Sequence, residues 1–502
     1  MITAFPFDKR AMPPKLLHSK FFWIGLLYFA EGFPLGLFFD VFPVHFRQQG
    51  VNLSEIGFLS LLGLAWTLKF LWAPAVDHYR HHRRWMAAVD LGMGAVMLAF
   101  AVHANFGPWV WLAIGLFTLL SATNDIAIDG YSIELLNKDE LGRANGLRIG
   151  FYRVGMLAAR FILILSDYLG WSATYLAAAG LFVLLAFACL RAPKERARPR
   201  GEGMSLRSEL AGLLRQPLPL AGVLLFLLAS LWLVDRSLHL SARIEFFWLY
   251  GTLPALLLWG ASWLHRSGNG KKNTDALRTG PMFGTLLGML KRPHMLPVIG
   301  FILIFKLGDA AMGFMVKPFW VDAGFSASQI GAVSVNLGLA LSIAGGIAGG
   351  WYTDRVGIFR ALWVLGLYQI ASNLGYVWAA SVLPLGADNA LIPWQHTLLL
   401  YAASGVESFT GGLGTAAFLA FLMAIVDQRH SATEYALLSS VFALSRSLAG
   451  WAGGFGAEAM GYADYFLLTV FLGFPALLLL PWVARMLRLM ANSEAEAPMQ
   501  AQ

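Results

Sequence analysis

Apolar residues in this chain are grouped into runs about as long as a membrane is thick. A helix rises about 1.5 Å per residue, so about 20 apolar residues cross a hydrocarbon core of roughly 30 Å. Charged residues or glycine and proline clusters separate fourteen such runs, which predict fourteen transmembrane helices. The predicted spans cover residues 21–46, 54–75, 85–105, 108–136, 143–166, 171–191, 217–234, 244–264, 295–320, 327–350, 358–380, 396–425, 433–458 and 463–484.

Lysine and arginine placement gives these spans an orientation. If the N-terminus is cytoplasmic, the outer segments carry only Arg47, Arg236, Arg243 and Lys317, and the inner segments carry most of the other lysines and arginines. This asymmetry follows the positive-inside rule and predicts that both termini are cytoplasmic. The first span has no cleavage site after it, so we expect a retained helix rather than a signal peptide.

Composition points to the same class of protein. Apolar residues make up 58% of the chain and charged residues 13%, whereas a soluble protein carries about 25% charged residues. We therefore expect an integral membrane protein, in which the net charge of +8 reflects topology rather than a nucleic-acid partner. The single cysteine, Cys189, excludes a disulfide framework and a cysteine metal site. We expect no cofactor and no bound metal.

The predicted helices form two similar halves. The segment Gly50-Val-Asn-Leu-Ser-Glu-Ile-Gly57 opens span two, and Gly324-Phe-Ser-Ala-Ser-Gln-Ile-Gly331 opens span ten. Glu31 and Asp309 each lie in the middle of the helix that leads its half. Such a repeat is typical of a two-lobed secondary transporter with its substrate path at the lobe interface. We predict an all-α membrane protein with two six-helix lobes and two extra helices between them.

The predicted organisation has seven segments. The two long polar stretches flank the two extra helices, for which the sequence indicates no function. The segments are a cytoplasmic N-terminal segment at 1–20, the first lobe at 21–192, a cytoplasmic loop at 193–216, the extra helices at 217–264, a second loop at 265–294, the second lobe at 295–484 and a cytoplasmic tail at 485–502.

Several motifs resemble those of a known family. Asp354-Arg-Val-Gly-Ile-Phe-Arg360 resembles the loop motif of the major facilitator superfamily. More specific matches are to the AmpG-type muropeptide permeases, in the peptide/acetyl-CoA transporter branch of that superfamily. These matches are Gly57-Phe-Leu-Ser-Leu-Leu-Gly63, Lys69-Phe-Leu-Trp-Ala-Pro74, Asn124-Asp-Ile-Ala-Ile-Asp129, Tyr152-Arg-Val-Gly-Met156, Lys306-Leu-Gly-Asp-Ala310, Glu407-Ser-Phe-Thr-Gly-Gly-Leu-Gly-Thr415 and Ser431-Ala-Thr-Glu-Tyr-Ala-Leu-Leu-Ser439.

The resemblance implies proton-coupled import of anhydromuropeptides across the inner membrane of a Gram-negative bacterium. These substrates are N-acetylglucosaminyl-anhydro-N-acetylmuramic acid units with or without a stem peptide. The chain departs from the family pattern at Asn124, at Gly130-Tyr131 and at Glu434, where the family usually has Gln, Ala-Trp and Gln. Related transporters of this branch move acetyl-CoA, acyl-CoA or siderophores, which is the alternative substrate class.

Charged residues inside the predicted spans are the candidates for the transport site, because each costs at least about 2.5 to 3.5 kcal/mol in the bilayer unless it is paired, hydrated or functional. Asp125 and Asp129 stack on one helix face at i and i+4, so one of them is expected to hold a proton. The alternative for Asp129 is an ion pair with a cation such as Arg148 or Arg153. Glu31 is the third coupling candidate, with helix packing as its alternative.

The remaining buried charges divide into two groups. Lys306 and Asp309, at i and i+3, are predicted to form a structural ion pair. Arg153 and Arg446 have no carboxylate one turn away, so their partner is either another helix or a ligand carboxylate, which suits an arginine fork. Glu407 precedes several glycines and is either a packing residue or a binding residue.

Aromatic and polar residues on the same helices complete the predicted site, because aromatic rings stack on sugars. Most aromatic residues of a membrane protein face lipid or its interface, which is the alternative for each of these. The further substrate-binding candidates are Phe33, Trp66, Asn124, Tyr131, Tyr152, Glu434 and Tyr435. Candidate gating residues on the inner loops are Asp77, Arg83, Arg84, Asp354, Arg355 and Arg360, with loop anchoring as their alternative.

Two other classes of protein, enzymes and membrane receptors or scaffolds, are the alternatives to a transporter. Asn124–Asp129 resembles part of the Mg²⁺-binding motif of membrane prenyltransferases, but the longer motif and its second copy are missing from the sequence. The sequence also lacks a P-loop, so we expect neither an enzyme nor an ATP-driven pump. A membrane receptor or scaffold would lack a solvent path between the lobes. We expect a monomer in the lipid bilayer that binds protons and a small glycopeptide.

Overall fold

The structure is a computed structural model in which helices are the only regular elements of the described residues. The described residues are 19–69, 81–103, 109–135, 141–194, 244–266, 291–386, 392–426 and 431–496, together with isolated residues between these ranges.

Long helices follow one another with short connections. Two of them continue through π-helical stretches, Leu37–Val41 after the first helix and Ile330–Leu337 after the eleventh. In chain order the α-helices are α1 Lys20–Gly36, α2 Phe42–Gln48, α3 Leu53–Leu62, α4 Leu64–Leu68, α5 His82–Val102, α6 Trp109–Leu135, α7 Leu141–Arg191, α8 Ile244–Arg266, α9 Met295–Ile304, α10 Leu307–Asp322, α11 Ala327–Gln329, α12 Gly338–Val356, α13 Ile358–Val382, α14 Trp394–Ala424, α15 Ser431–Met460, α16 Tyr462–Leu478 and α17 Leu480–Glu496.

Apolar length identifies the membrane-spanning helices. Within the described residues, seven helices are long and apolar enough to cross a bilayer, or eight if the pair bent by 44° at Leu479 is one span. The predicted count of fourteen stays a prediction, since most residues of span seven at 217–234 lie outside the described residues. Predicted spans five and six both lie in α7, where Gly170 has φ 76° and interrupts the helix.

Predicted span nine is two helices rather than one. α9 ends at Ile304 and α10 begins at Leu307, and Lys306 between them has non-helical dihedral angles of φ −104° and ψ 14°. The sequence around the break has no proline, so the hydropathy pattern alone did not predict it. Discontinuous helices of this kind commonly hold polar sites in transporters.

The chain divides into two compact units. The first contains Met1–Phe42 and Lys69–Pro199, and the second contains Pro43–Leu68 and Arg200–Gln502. The stretch from the end of span one through α4 therefore belongs with the second unit, although the sequence repeat assigns it to the first half.

Glycine contacts hold α1 against α7 in the first unit. A Cβ atom at Gly32 would overlap the carbonyl oxygen of Tyr152, and one at Gly155 would overlap that of Phe29. Small residues allow this approach, which supplies the dispersion contacts that drive helix association in lipid. The aromatic core beside this contact includes Phe33 against Phe182, with ring centroids 5.1 Å apart.

Glycines also allow close helix packing in the second unit. Gly345 on α12 meets the carbonyl of Phe409 on α14, and Gly308 on α10 meets the carbonyl of Thr469 on α16. α3 packs on α15 in the same way, because Gly454 lies against the carbonyl of Leu53. These contacts fix the helices that carry the polar residues described next.

Candidate transport site

The first unit places a half-buried lysine beside two buried carboxylates. Lys69 Nζ lies 3.3 Å from Asp125 Oδ2 on α6, and Asp125 is 5% exposed. Glu31 on α1 is equally buried and lies within electrostatic range of Asp125, Asp129 and Lys69. Within the described residues, Asp125 Oδ1 and Glu31 Oε2 have no hydrogen-bond partner. The single positive charge of Lys69 is thus close to two carboxylates, Asp125 and Glu31, and can neutralise only one of them.

Asp129 has a separate cation. It accepts a hydrogen bond of 3.0 Å from the Tyr28 hydroxyl and lies 3.2 Å from Arg148 Nη1. The Arg148 guanidinium also stacks over the Tyr28 ring, 5.0 Å from its centroid. Asp129 is therefore in the ion pair that the sequence offered as its alternative, and Asp125 and Asp129 do not compete for one partner.

A further buried carboxylate lies beside this cluster. Asp90 on α5 is fully buried and accepts hydrogen bonds from Asn124 Nδ2 at 2.9 Å and from Cys189 Sγ at 3.5 Å. Asp90 was not among the predicted site residues, because it lies near the start of an otherwise ordinary apolar span. The sequence feature that could have identified Asp90 is the one that identified Glu31: a carboxylate inside a predicted span.

Two predicted substrate-binding residues are buried inside the first unit. Asn124 is fully buried against Asp90, and Tyr131 is fully buried with its hydroxyl donating to the carbonyl of Pro193 at 2.9 Å. Phe33 belongs to the aromatic core described above. In this structure the three side chains contact protein rather than an open surface.

The second unit has its own charged cluster at the break in span nine. Lys306 Nζ lies 3.3 Å from Asp309 Oδ2 and donates to the carbonyl of Gly411 at 3.1 Å. Gln369 Nε2 on α13 donates to the same Asp309 oxygen. Glu407 on α14 is half-buried and accepts a hydrogen bond of 3.3 Å from Ser408.

The other predicted site residues are dispersed. Arg153 on α7 and Arg446 on α15 are exposed, whereas Tyr152 and Trp66 are half-buried. Glu434 and Tyr435 are in α15, but their side chains lie outside the described residues, as does Asp77.

Two of the predicted gating arginines, Arg83 and Arg355, have local partners. Arg83 Nη1 donates to the carbonyls of Leu190 at 3.3 Å and Ala192 at 2.9 Å, which satisfies groups at the end of α7. Arg355 lies over the ring of Trp351 at 4.0 Å on its own helix. Three further candidates, Arg84, Asp354 and Arg360, are exposed. In this structure, the contacts of Arg83 correspond to the loop-anchoring alternative.

The fold and the buried charges define a class of protein, and comparison with known proteins identifies it. The sequence profile of the Major Facilitator Superfamily matches residues 24–391. The chain belongs to this superfamily. It is a multi-pass membrane transporter of a small molecule, and the predictions of an all-α major facilitator fold and of a protein that is not an enzyme are confirmed.

Particular relatives refine the comparison. The anhydromuropeptide permease of Escherichia coli K12 is 28% identical over 468 residues, which are 91% of this chain and 78% of the permease. This match confirms the resemblance to AmpG-type permeases. A solved POT family peptide transporter superposes with a TM-score of 0.62 at 15% identity, over 95% of this chain and 97% of its own. The nucleoside transporter NupG gives 0.59 at 14% identity, over 93% and 100%. At these identities, the two structures support the fold alone.

Proposed function

We propose that this chain is a proton-coupled secondary transporter that imports anhydromuropeptides from the periplasm to the cytoplasm for cell-wall recycling. The substrate is N-acetylglucosaminyl-anhydro-N-acetylmuramic acid with or without its stem peptide. Similarity to the E. coli anhydromuropeptide permease along 91% of the chain supports this substrate class. Transport proceeds by alternating access, which is the general cycle of two-lobed secondary transporters.

The proposed setting is the inner membrane of a bacterium. The positive-inside asymmetry supports cytoplasmic N- and C-termini. The proposed architecture has fourteen spans, two six-helix lobes and two extra helices, and the protein acts as a monomer in the bilayer. A proton and the glycopeptide are its two transported partners.

The observation that carries proton coupling is the cluster of the half-buried Lys69 with the buried Asp125 and Glu31. One ammonium faces two carboxylates at a depth where an unbalanced charge costs several kcal/mol. Asp129 does not add to this imbalance because Arg148 is paired with it. A proton bound to Asp125 or Glu31 balances the cluster, and release of that proton to the cytoplasm restores the attraction to Lys69. Coupling follows if the loaded and empty clusters favour different transporter conformations.

Substrate binding is assigned to exposed polar side chains. Arg153 and Arg446 are exposed, and a guanidinium fork fits the muramyl or stem-peptide carboxylate. The family departures at Asn124 and Tyr131 fall on side chains that are buried inside the first unit. Those two substitutions therefore change internal contacts and leave the exposed surface of the unit unaltered, which supports retention of the family's substrate class.

The test is uptake into proteoliposomes that contain the purified full chain. Labelled anhydromuropeptide is added outside at a lower pH than inside, with and without a protonophore, and in competition with acetyl-CoA or a ferric siderophore. We expect accumulation that the protonophore abolishes and that unlabelled muropeptide, but neither of the other compounds, inhibits. Absence of muropeptide uptake would refute the substrate, and uptake indifferent to the proton gradient would refute the coupling.

A further inference from the structure

A small cavity with several polar side chains in its wall lies inside the second unit beside the break in span nine. Asp309 of α10, Gln369 and Asn373 of α13 and Thr469 of α16 line it. Its volume is about 10 Å³, which is roughly the space for the centre of one water molecule. The cavity is part of the packing of one unit and is separate from the cluster around Asp125.

The cavity has an unsatisfied acceptor in its wall. Asn373 is 1% exposed, and its Oδ1 atom has no hydrogen-bond partner in the described part of the chain. Its side-chain amide is within hydrogen-bonding range of Asp309, so only the carbonyl end is left over. A buried acceptor without a partner costs about 1–3 kcal/mol, and a water that donates to it removes this cost.

Two side chains donate hydrogen bonds to the same carboxyl oxygen of Asp309. Lys306 and Gln369 both donate to Oδ2. Neither of them donates to Oδ1, the other oxygen of the same carboxyl group. Asp309 also lies in the first turn of α10, so its carboxyl group is next to the end of a half-helix rather than in the middle of a continuous one.

A second carboxylate, that of Glu407, lies near Asp309. A Cβ atom at Gly411 would be 3.8 Å from Glu407 Oε1 and 4.0 Å from Asp309 Oδ2, so both carboxylates border the carbonyl to which Lys306 donates. Lys306 is thus shared between Asp309 and Glu407, and Glu407 has Lys317 as a second cation. The helices packed around Asp309 also carry other titratable groups. These include Lys317, Tyr376, Tyr465, Glu55, Glu458 and the exposed Arg446.

We propose that Asp309 is a second proton-binding site, which one water held by Asn373 connects to its surroundings, so that each transport cycle moves two protons. This inference rests on the proposed function and adds a site in the second unit to the one at Asp125. The lysine-carboxylate pair at the break in span nine opens when Asp309 is protonated and closes when the proton leaves. Lys306 keeps the carbonyl of Gly411 as a partner in both states.

The number of coupled protons is measurable at equilibrium. With the membrane potential clamped at zero, substrate accumulation rises about tenfold per pH unit of gradient for each coupled proton. The wild-type chain should therefore accumulate labelled anhydromuropeptide with a slope of two in log accumulation against the pH difference. Asp309→Asn should reduce the slope to one, and Asp464→Asn, which alters an exposed carboxylate of the same unit, should leave it at two.

Other outcomes separate the two proposals. Absence of gradient-driven accumulation in the wild-type chain refutes the proposed function. A wild-type slope of one, or a slope of two that persists in Asp309→Asn, refutes the second site and leaves the proposed function intact.

If Asp309→Asn does not transport, protonation of Asp309 can be measured without substrate. Infrared spectra of the folded protein at two pH values report the C=O stretch of each carboxyl group that gains a proton. Asp309→Asn should remove one such band, and Asn373→Leu, which fills the water cavity, should shift or remove the same band. Identical difference spectra for the wild-type chain and Asp309→Asn would refute the proposal.

Discussion

Arg47 holds the carboxylate of Asp322 in a two-pronged ion pair. Arg47 Nε lies 2.5 Å from Oδ1 and Nη2 lies 2.6 Å from Oδ2. Tyr462 donates to Oδ2 at 2.7 Å, and Arg47 Nη1 donates to the carbonyl of Val51 at 2.9 Å. Both charged residues belong to the second compact unit, yet they come from the first and second sequence repeats. The pair therefore fastens the segment 43–68 to the helices of the second repeat.

Loss of this pair should destabilise the second unit. Arg47→Gln leaves a half-buried carboxylate with one donor fewer on each oxygen, and we expect a loss of about 2 kcal/mol in the free energy of unfolding. Tyr462→Phe should cost about 1 kcal/mol. Thermal melting of purified variants checks both, with Arg488→Gln as the exposed control. Equal melting temperatures for Arg47→Gln and the control would contradict the assigned role.

A matched glycine pair on α7 tests the contact with α1. Gly155→Ala should destabilise the protein strongly, because the new Cβ would overlap the carbonyl of Phe29. Gly150→Ala on the same helix meets nothing within 4 Å and should be neutral or stabilising by up to about 1 kcal/mol, since alanine favours a helix. Melting temperature and the yield of monodisperse protein are the readouts. The interpretation fails if the two variants behave alike.

The ion pair of Asp40 and Arg160 is structural. Arg160 Nε lies 3.1 Å from Asp40 Oδ2, and both side chains are buried in the first unit. Removal of one partner leaves a buried charge without its counter-ion. Asp40→Leu or Arg160→Met should therefore each lower the free energy of unfolding by about 3–5 kcal/mol. The double variant should regain most of this loss. A double variant as unstable as the sum of the two single variants would show that the pair is not coupled.

Contacts between residues that are close in the sequence were the easiest to predict. Lys306 and Asp309 were predicted as a pair because they are one helical turn apart, and they lie 3.3 Å apart. The partners of Asp125 and Asp40 come from other helices, and hydropathy contains no information on which helices adjoin. Lys69 and Arg160 were recognisable only as charges inside predicted spans.

Helix positions were predictable for a different reason. The cost of charge in hydrocarbon fixes where each apolar run ends, so α5, predicted at 85–105, is observed at His82–Val102. The break at Lys306 was not predictable in this way, because it lies within an apolar run and depends on packing against α14 and α16. The same limit applies to Asp90, whose partners Asn124 and Cys189 come from two further helices.

The central claim is that Asp125 and Lys69 couple transport to protons, and Asp125→Asn tests it most directly. The change is nearly isosteric and imitates the protonated carboxyl group, so the variant should bind and exchange substrate but should lose the one proton that Asp125 couples. The measurement compares two fluxes of labelled anhydromuropeptide in the same proteoliposomes: accumulation against a proton gradient, and counterflow at equal pH. We predict that accumulation falls at least tenfold while counterflow stays within about twofold of the wild-type value. Unchanged accumulation in Asp125→Asn would contradict the account.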